Sequence, residues 1–222
     1  ENETSATETY GDINTWDVSQ ITDFSRLFNY TRSFNSDISN WDVSNGADFT
    51  AMFNGATAFN QDIGSWDVSN ASSLESMFDG ATSFNQDIGN WDVSSVINFR
   101  EIFDDANSFN QDIGNWDVSN GRSFAKFFSN AGIFNQDISS WKVSNGTNFN
   151  EMFNGAKLFN QDIGEWDVSN GTDFRHMFYS AKAFNRDITE WQVKNTAKLD
   201  KMFDGAELMQ GDFIDGTPEI TY

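Results

Sequence analysis

The sequence predicts an α/β solenoid with one short strand and one short helix in each 25-residue coil. Three observations predict it. Tryptophans stand at Trp16, Trp41, Trp66, Trp91, Trp116, Trp141, Trp166 and Trp191, always 25 residues apart with no insertion or deletion, and a fixed period of this length marks a stacked repeat. Around each tryptophan runs the frame Ile63-x-x-Trp66-x-Val68 or a close copy, whose alternation and residue types suit a half-buried strand. After the frame, Phe49, Met52, Phe53 and Ala56 and their counterparts fall at i, i+3, i+4 and i+7, one face of a helix. Because each unit of such an array contacts only its neighbours, the chain divides into residues 1–11 as an N-terminal leader or cap, 12–213 as one elongated domain of about eight coils, and 214–222 as a C-terminal tail or cap.

The elements follow in order. The polar leader matches no repeat phase, and the register starts at Asp12-Ile13. The Ile-Trp-Val frame fits the L-x-x-L-x-L core of leucine-rich repeats, with Asn70 one position early. The reading is therefore a right-handed, leucine-rich-repeat-like coil. A turn comes next, marked by Asn45-Gly46, Asn120-Gly121, Asn145-Gly146 and Asn170-Gly171. The expected helix is short: Asp23, Asp48, Ser73, Asn98, Ser123, Asn148 and Asp173 precede it as N-cap types. Gly55, Gly80, Gly155 and Gly205 stand where a left-handed C-terminal cap would fall. An all-β solenoid, with the helical segment an irregular turn, is the alternative. Phe59 returns the chain to the core. Asn35, Asn60, Asn85, Asn110, Asn135, Asn160 and Asn185 share one phase and predict an asparagine ladder bonding the backbone of adjacent coils.

Composition narrows the function. The 34 Asp and Glu against 13 Lys and Arg give a net charge of −21. That argues against nucleic acid, whose phosphates need a basic face, and against an anionic membrane surface. Cysteine is absent, so there is no disulfide framework and no thiolate chemistry. No apolar run is long enough to span a bilayer. The chain begins at Glu1 without methionine, which suggests a processed form or an excised fragment.

The unit F-N-Q-D-I-x-x-W-D-V-S-N-x-x-x-F-x-x-M-F-x-x-A, running from Asp12 to Phe213, resembles the 25/26-residue repeat of BspA-like bacterial surface proteins of the Mycoplasma and Listeria type. The resemblance implies an extracellular or surface-anchored protein, secreted or held by a part not present here, with adhesion or partner binding as its role and no catalytic motif. The chain departs from that pattern where Gly46, Gly121, Gly146 and Gly171 replace an aliphatic residue, which Ile21 and Val96 keep, and where Phe24, Phe49, Phe99, Phe124, Phe149 and Phe174 stand for methionine. Larger rings beside missing side chains predict compensating volume.

Two polar columns carry the candidate chemistry. Asp17, Asp42, Asp67, Asp92, Asp117, Lys142 and Asp167 follow the tryptophans. If Trp and Val point inward they point outward, and they form the candidate partner-binding face. A second column, including Asp62, Asp87 and Asp112, precedes the isoleucines. Carboxylates on strands about 4.8 Å apart repel by about 1 kcal/mol in bulk water and by several at a protein-like dielectric. Turn capping by the carboxylates relieves this in one reading. In the other, Asp62, Asp67, Asp87, Asp92, Asp112 and Asp117 hold a divalent ion, with calcium the candidate as a hard, oxygen-seeking cation. No EF-hand or RTX pattern accompanies them. His176 is the only histidine, which leaves no base for a Ser-His-Asp arrangement, and the uniform columns argue against an enzyme. The expected function is an extracellular binding or adhesion module whose acidic face meets a protein, basic ones included, or a glycan on another surface. The alternative is a structural spacer or assembly subunit of a surface layer or filament.

Overall fold

The computed structural model describes residues 3–209, 213–214 and 217–218. The 25-residue units stack in register. Asp23 pairs in parallel with Asp48, Asp48 with Ser73, and so on to Asp173 with Lys198. A backbone ladder runs beside these bridges. Phe24, Arg26, Phe28 and Tyr30 donate N–H groups to the carbonyls of Asp48, Thr50, Met52 and Asn54 at 2.7–2.9 Å. Ala51, Phe53 and Gly55 repeat the pattern onto Glu75, Met77 and Asp79. All these amides point toward the following coil and all these carbonyls toward the preceding one.

The short helix expected at 49–56 is absent. The segment is a run of four-residue turns, closed by Met52 N–H to Phe49 O at 3.1 Å and Ala56 N–H to Phe53 O at 3.0 Å. Ala51 (φ 55°) and Gly55 (φ 67°) occupy the third position of these turns. An α-helix needs its amides for bonds along its own axis. Here alternate amides of 24–30 and 49–55 are already committed to the next coil. The N-cap residues keep their chemistry without the helix: Asp48 Oδ1 accepts from Thr50 N at 2.8 Å and Asp23 Oδ1 from Ser25 N at 2.9 Å. The frame 63–68 is likewise no strand, since Trp66 N–H turns back to Ile63 O at 3.1 Å. One α-helix is found among the described residues, α1 (Glu3–Tyr10), within the expected leader. It is followed by a single 3-10 turn, Ile13–Thr15, capped by Asp12. A two-residue pair, β1 (Phe213–Ile214) and β2 (Thr217–Pro218), lies after the array. The rest of the expected tail at 214–222 lies outside the described residues.

Ile, Trp, Val, Phe and Met columns fill the interior, and most members are fully buried. Rings stack both within and between coils: Phe53 lies 3.8 Å from Phe59 and 5.7 Å from Phe78, and Trp41 lies 6.5 Å from Trp66 at 3°. Offset aromatic contacts of this kind add to their burial. The expected volume compensation is present. A Cβ on Gly46 or Gly121 would sit 2.5 Å from the ring of Phe49 or Phe124, so the glycine makes room for the larger ring.

On the side of residues 60–70 the coils are joined through side chains. From Trp41 to Trp191 each indole N–H crosses to the isoleucine carbonyl of the preceding coil, as in Trp91 to Ile63 at 3.1 Å and Trp116 to Ile88 at 3.0 Å. The asparagine ladder is present: Asn60 N–H donates to Asn35 Oδ1 at 2.8 Å, Asn110 N–H to Asn85 Oδ1 and Asn135 N–H to Asn110 Oδ1, both at 2.9 Å. Gln61, Gln86 and Gln111 add bonds to Asn35, Asn60 and Asn85 carbonyls. Asn45 and Asn70 reach the Ser19 and Ser44 carbonyls at 2.8 and 2.7 Å.

Candidate functional site

From the Trp41 frame onward Trp and Val are buried in the core, so the residue between them is held outward. Asp17, Asp42, Asp67, Asp92, Asp117, Lys142 and Asp167 are all exposed and form one line across the stack. The carboxylates are bound locally. Asp92 Oδ1 accepts from Ser94 N at 3.0 Å and Ser94 Oγ at 2.6 Å, and Asp17 and Asp42 hold Ser19 and Ser44 the same way. Asp67, Asp117 and Asp167 accept from the amides of Ser69, Ser119 and Ser169 at 3.0 Å. These serine bonds hold Asp17, Asp42, Asp92, Asp117 and Asp167 below the ordinary carboxylate value. Repulsion along the line works the other way, Asp17 on Asp42 and Asp117 on Asp92. Lys142 interrupts the line and favours the charged form of Asp117. It also lines a shallow cleft with Asp117, Ser119 and Ser140.

The second column sits one turn earlier. Asp62, Asp87 and Asp112 are exposed, and each accepts from the glycine amide two residues on, at 2.9–3.0 Å. These are the turn-capping bonds. The six carboxylates read as candidate metal ligands stand in two rows. Among the described residues no three Asp, Glu, His or Cys side chains converge as a metal site would require.

A cluster that the sequence reading missed lies on the turn ribbon, where the repeat is least regular. Asp104 and Asp105 stand where the preceding coil has Asp79 and Gly80, and Glu101 lies close by. Asp104 is buried, and its Oδ1 has no hydrogen-bond partner. Burial pushes its carboxyl up to about 7, helped by Asp79 and Asp105 and opposed by Ser129 and Lys126. Asp79 is pushed up to about 6 by burial, then by Glu101 and Asp105, against the bond it receives from Asn54 Nδ2. Lys126 Nζ lies 3.3 Å from Glu101 and 3.7 Å from Asp104. Its own burial would lower it, but Asp104 and Glu101 outweigh that and leave it raised. Asp105 keeps the left-handed φ of 54° that glycine holds in other coils. That exchange of Gly for Asp beside a second Asp was the available signal. His176 is half-buried on the same ribbon, against Tyr179 at 5.6 Å.

Among the described residues no helix is long and apolar enough to cross a membrane. No curated protein and no solved structure matches the chain. A family described as "Mycoplasma protein of unknown function, DUF285" matches residues 2–115, 72–148 and 98–216. The overlapping matches follow the internal repeat, and the chain is a repeat protein that belongs to the DUF285 family.

Proposed function

We propose that the chain is a non-enzymatic binding or adhesion module of the BspA-like surface type, working outside the cell. Its stacked coils are read as a solenoid of the leucine-rich-repeat-like class in which turns replace the helix. The observation that carries the functional reading is the exposed row of Asp17, Asp42, Asp67, Asp92, Asp117, Lys142 and Asp167. Each carboxylate is fixed by its serine, and the side-chain ladders fix the coils beneath. A row of pre-oriented charges lowers the ordering cost of binding and repels acidic competitors. Its complement is a basic protein surface or a hydroxyl-rich glycan, not nucleic acid. Calcium is a proposed bridging ion between this row and the Asp62, Asp87 and Asp112 row. The Asp92→Asn/Asp117→Asn double variant tests the reading against immobilised cell-surface and extracellular-matrix material. The expected result is lost retention with an unchanged melting curve. Full retention would sink the acidic face as the contact. Melts with calcium and with chelator at matched ionic strength test the ion, since a ligand bound only by the folded state raises its stability. Coincident melts would remove calcium from the account.

A further inference from the structure

In the middle of the stack the repeat is broken at three exposed positions that line one cleft. Two of them, Ile97 and Arg122, share a phase that carries Thr22, Ala47, Ser72, Thr147, Thr172 and Ala197 in the other coils. The backbone holds this phase: Ile97 N–H donates to Ser72 O at 3.2 Å, Arg122 N–H to Ile97 O and Thr147 N–H to Arg122 O, both at 2.9 Å. Ser72, Thr147 and Thr172 turn their hydroxyls back onto the same ladder, reaching the carbonyls of Ala47, Arg122 and Thr147 at 3.1, 3.2 and 2.9 Å. The fold therefore asks for nothing larger than threonine here. Ile97 is instead 48% exposed. Arg122 is exposed too, and its guanidinium makes no ion pair or hydrogen bond among the described residues. The third departure is Ser95, in a column that reads Asn45, Asn70, Asn120, Asn145 and Asn170 elsewhere. Asn70 reaches the Ser44 carbonyl of the preceding coil at 2.7 Å, and Ser95 makes no such bond.

Ser95, Ile97 and Arg122 line a shallow cleft of about 320 Å3 together with Asn120 and Asn145. Its size is at the small end of the range for small-molecule sites. Nδ2 of Asn120 and of Asn145 donate to the Ser94 and Ser119 carbonyls at 2.7 and 2.8 Å. These bonds fix the two amides and leave each Oδ1 as an acceptor that receives no hydrogen bond among the described residues. The cleft thus offers a guanidinium fork, two oriented amide oxygens, a hydroxyl and an apolar side chain. A guanidinium takes a carboxylate through two parallel bonds. Amide oxygens take hydroxyl donors, and Ile97 can cover C–H groups. A sugar ring bearing a carboxylate presents all three.

We propose that the cleft of Ser95, Ile97, Asn120, Arg122 and Asn145 binds a carboxylated sugar of a glycan, of the uronic or sialic acid type. None of its lining residues belongs to the acidic row, and the site does not rest on what that row binds.

An NMR titration of the full, nitrogen-15-labelled chain tests the proposal. The probes are methyl glucuronide, N-acetylneuraminic acid and, as the neutral control, methyl glucoside, with sodium chloride holding ionic strength constant. At least one acid should give saturable shifts confined to amides near 95–97, 120–122 and 145, with a Kd on the order of 1 mM. Which acid binds identifies the sugar. The glucoside should bind about tenfold more weakly or less. Arg122→Thr and Ile97→Thr install the residue of neighbouring coils, so the rest of the spectrum should stay in place. Arg122→Thr should weaken binding by about tenfold or more and Ile97→Thr by about threefold or more. Asp92→Asn/Asp117→Asn should bind the acid at least as well as wild type, which separates this site from the acidic row. The proposal is overturned if neither acid shifts these amides at concentrations about tenfold above that Kd. Equal binding of the neutral glucoside would also overturn it, as would binding that Arg122→Thr and Ile97→Thr both leave intact.

Discussion

The two walls of the stack hold neighbouring coils together by different means. Along 48–55 the bonds run from backbone to backbone, as from Ala51 to Glu75 and Phe53 to Met77. Along 60–70 they run through side chains, from the indole of Trp116, the amide oxygen of Asn85 and the amide of Gln111. A backbone bond is available to nearly any residue, but a side-chain bond requires one residue type at one phase. The 60–70 wall is accordingly almost invariant from coil to coil. The ribbon carries Ala51, Ser76, Glu101, Lys126, Glu151 and His176 at a single phase, all with positive φ. Uniformity on one wall is thus a structural demand, and variation on the other is where this chain differs from its own repeat.

Substitutions can break that contrast. The largest effect belongs to the side-chain wall. Trp116→Ala empties a buried site and removes the cross-coil bond to the Ile88 carbonyl, which keeps only the Trp91 N–H, and should cost about 3–5 kcal/mol in denaturant melts. Glu151→Ala on the ribbon should fall within about 0.5 kcal/mol. A Trp116→Ala cost no larger than that of Glu151→Ala would erase the distinction.

The pH dependence separates the buried ribbon cluster from the exposed acidic row by sign. Asp79 and Asp104 on the ribbon are raised to about 6 and about 7 from 3.8. The folded chain keeps protons there that the unfolded chain has released. This contribution is complete below 3.8 and is lost as pH rises through about 6 and 7. The row of Asp17, Asp42, Asp92, Asp117 and Asp167 is lowered. Its contribution is present above 3.8 and is lost as pH falls through the folded values below that. The melting temperature should therefore peak at mildly acid pH. Asp104→Asn should remove much of the decline toward neutral pH and leave the acid limb in place. A profile unchanged by Asp104→Asn would detach the ribbon cluster from stability.

A smaller effect of the same origin is expected at Asp105. Its φ of 54° is one that glycine adopts without strain. Asp105→Gly should stabilise the chain by about 0.5–1 kcal/mol, in part by relieving Asp79 and Asp104 of a neighbouring charge. Destabilisation would mean that the Asp105 side chain supports the cluster.

The period, the buried columns, the exchange of volume between Gly46 and Phe49 and the asparagine ladder were legible because each rests on residue type at a fixed phase. The local backbone was not. Consecutive four-residue turns return Phe49 and Phe53, four apart, to the same face, and that spacing is close to the 3.6 of a helix. Gly55 looked like a helix cap because a left-handed residue ends a helix and also fills the third position of such a turn. Ala51, which adopts the same conformation, carries no glycine to announce it. The outward Asp row could be drawn from alternation around Trp66. The ribbon cluster could not, because Asp79, Asp104 and Lys126 are brought together by stacking three successive coils.

The most direct test of side-chain bonding between coils is the stability of Asn110→Ala. Asn110 Oδ1 accepts the Asn135 amide, and the Asn110 carbonyl accepts from Gln136. Removing the side chain strands the Asn135 N–H while leaving every backbone ladder intact. A loss of about 1–3 kcal/mol in a denaturant melt is the predicted result, the usual cost of an abandoned hydrogen-bond partner. A melt superimposable on that of the wild type would contradict the account and leave the coils held by the backbone ribbon and the aromatic core alone.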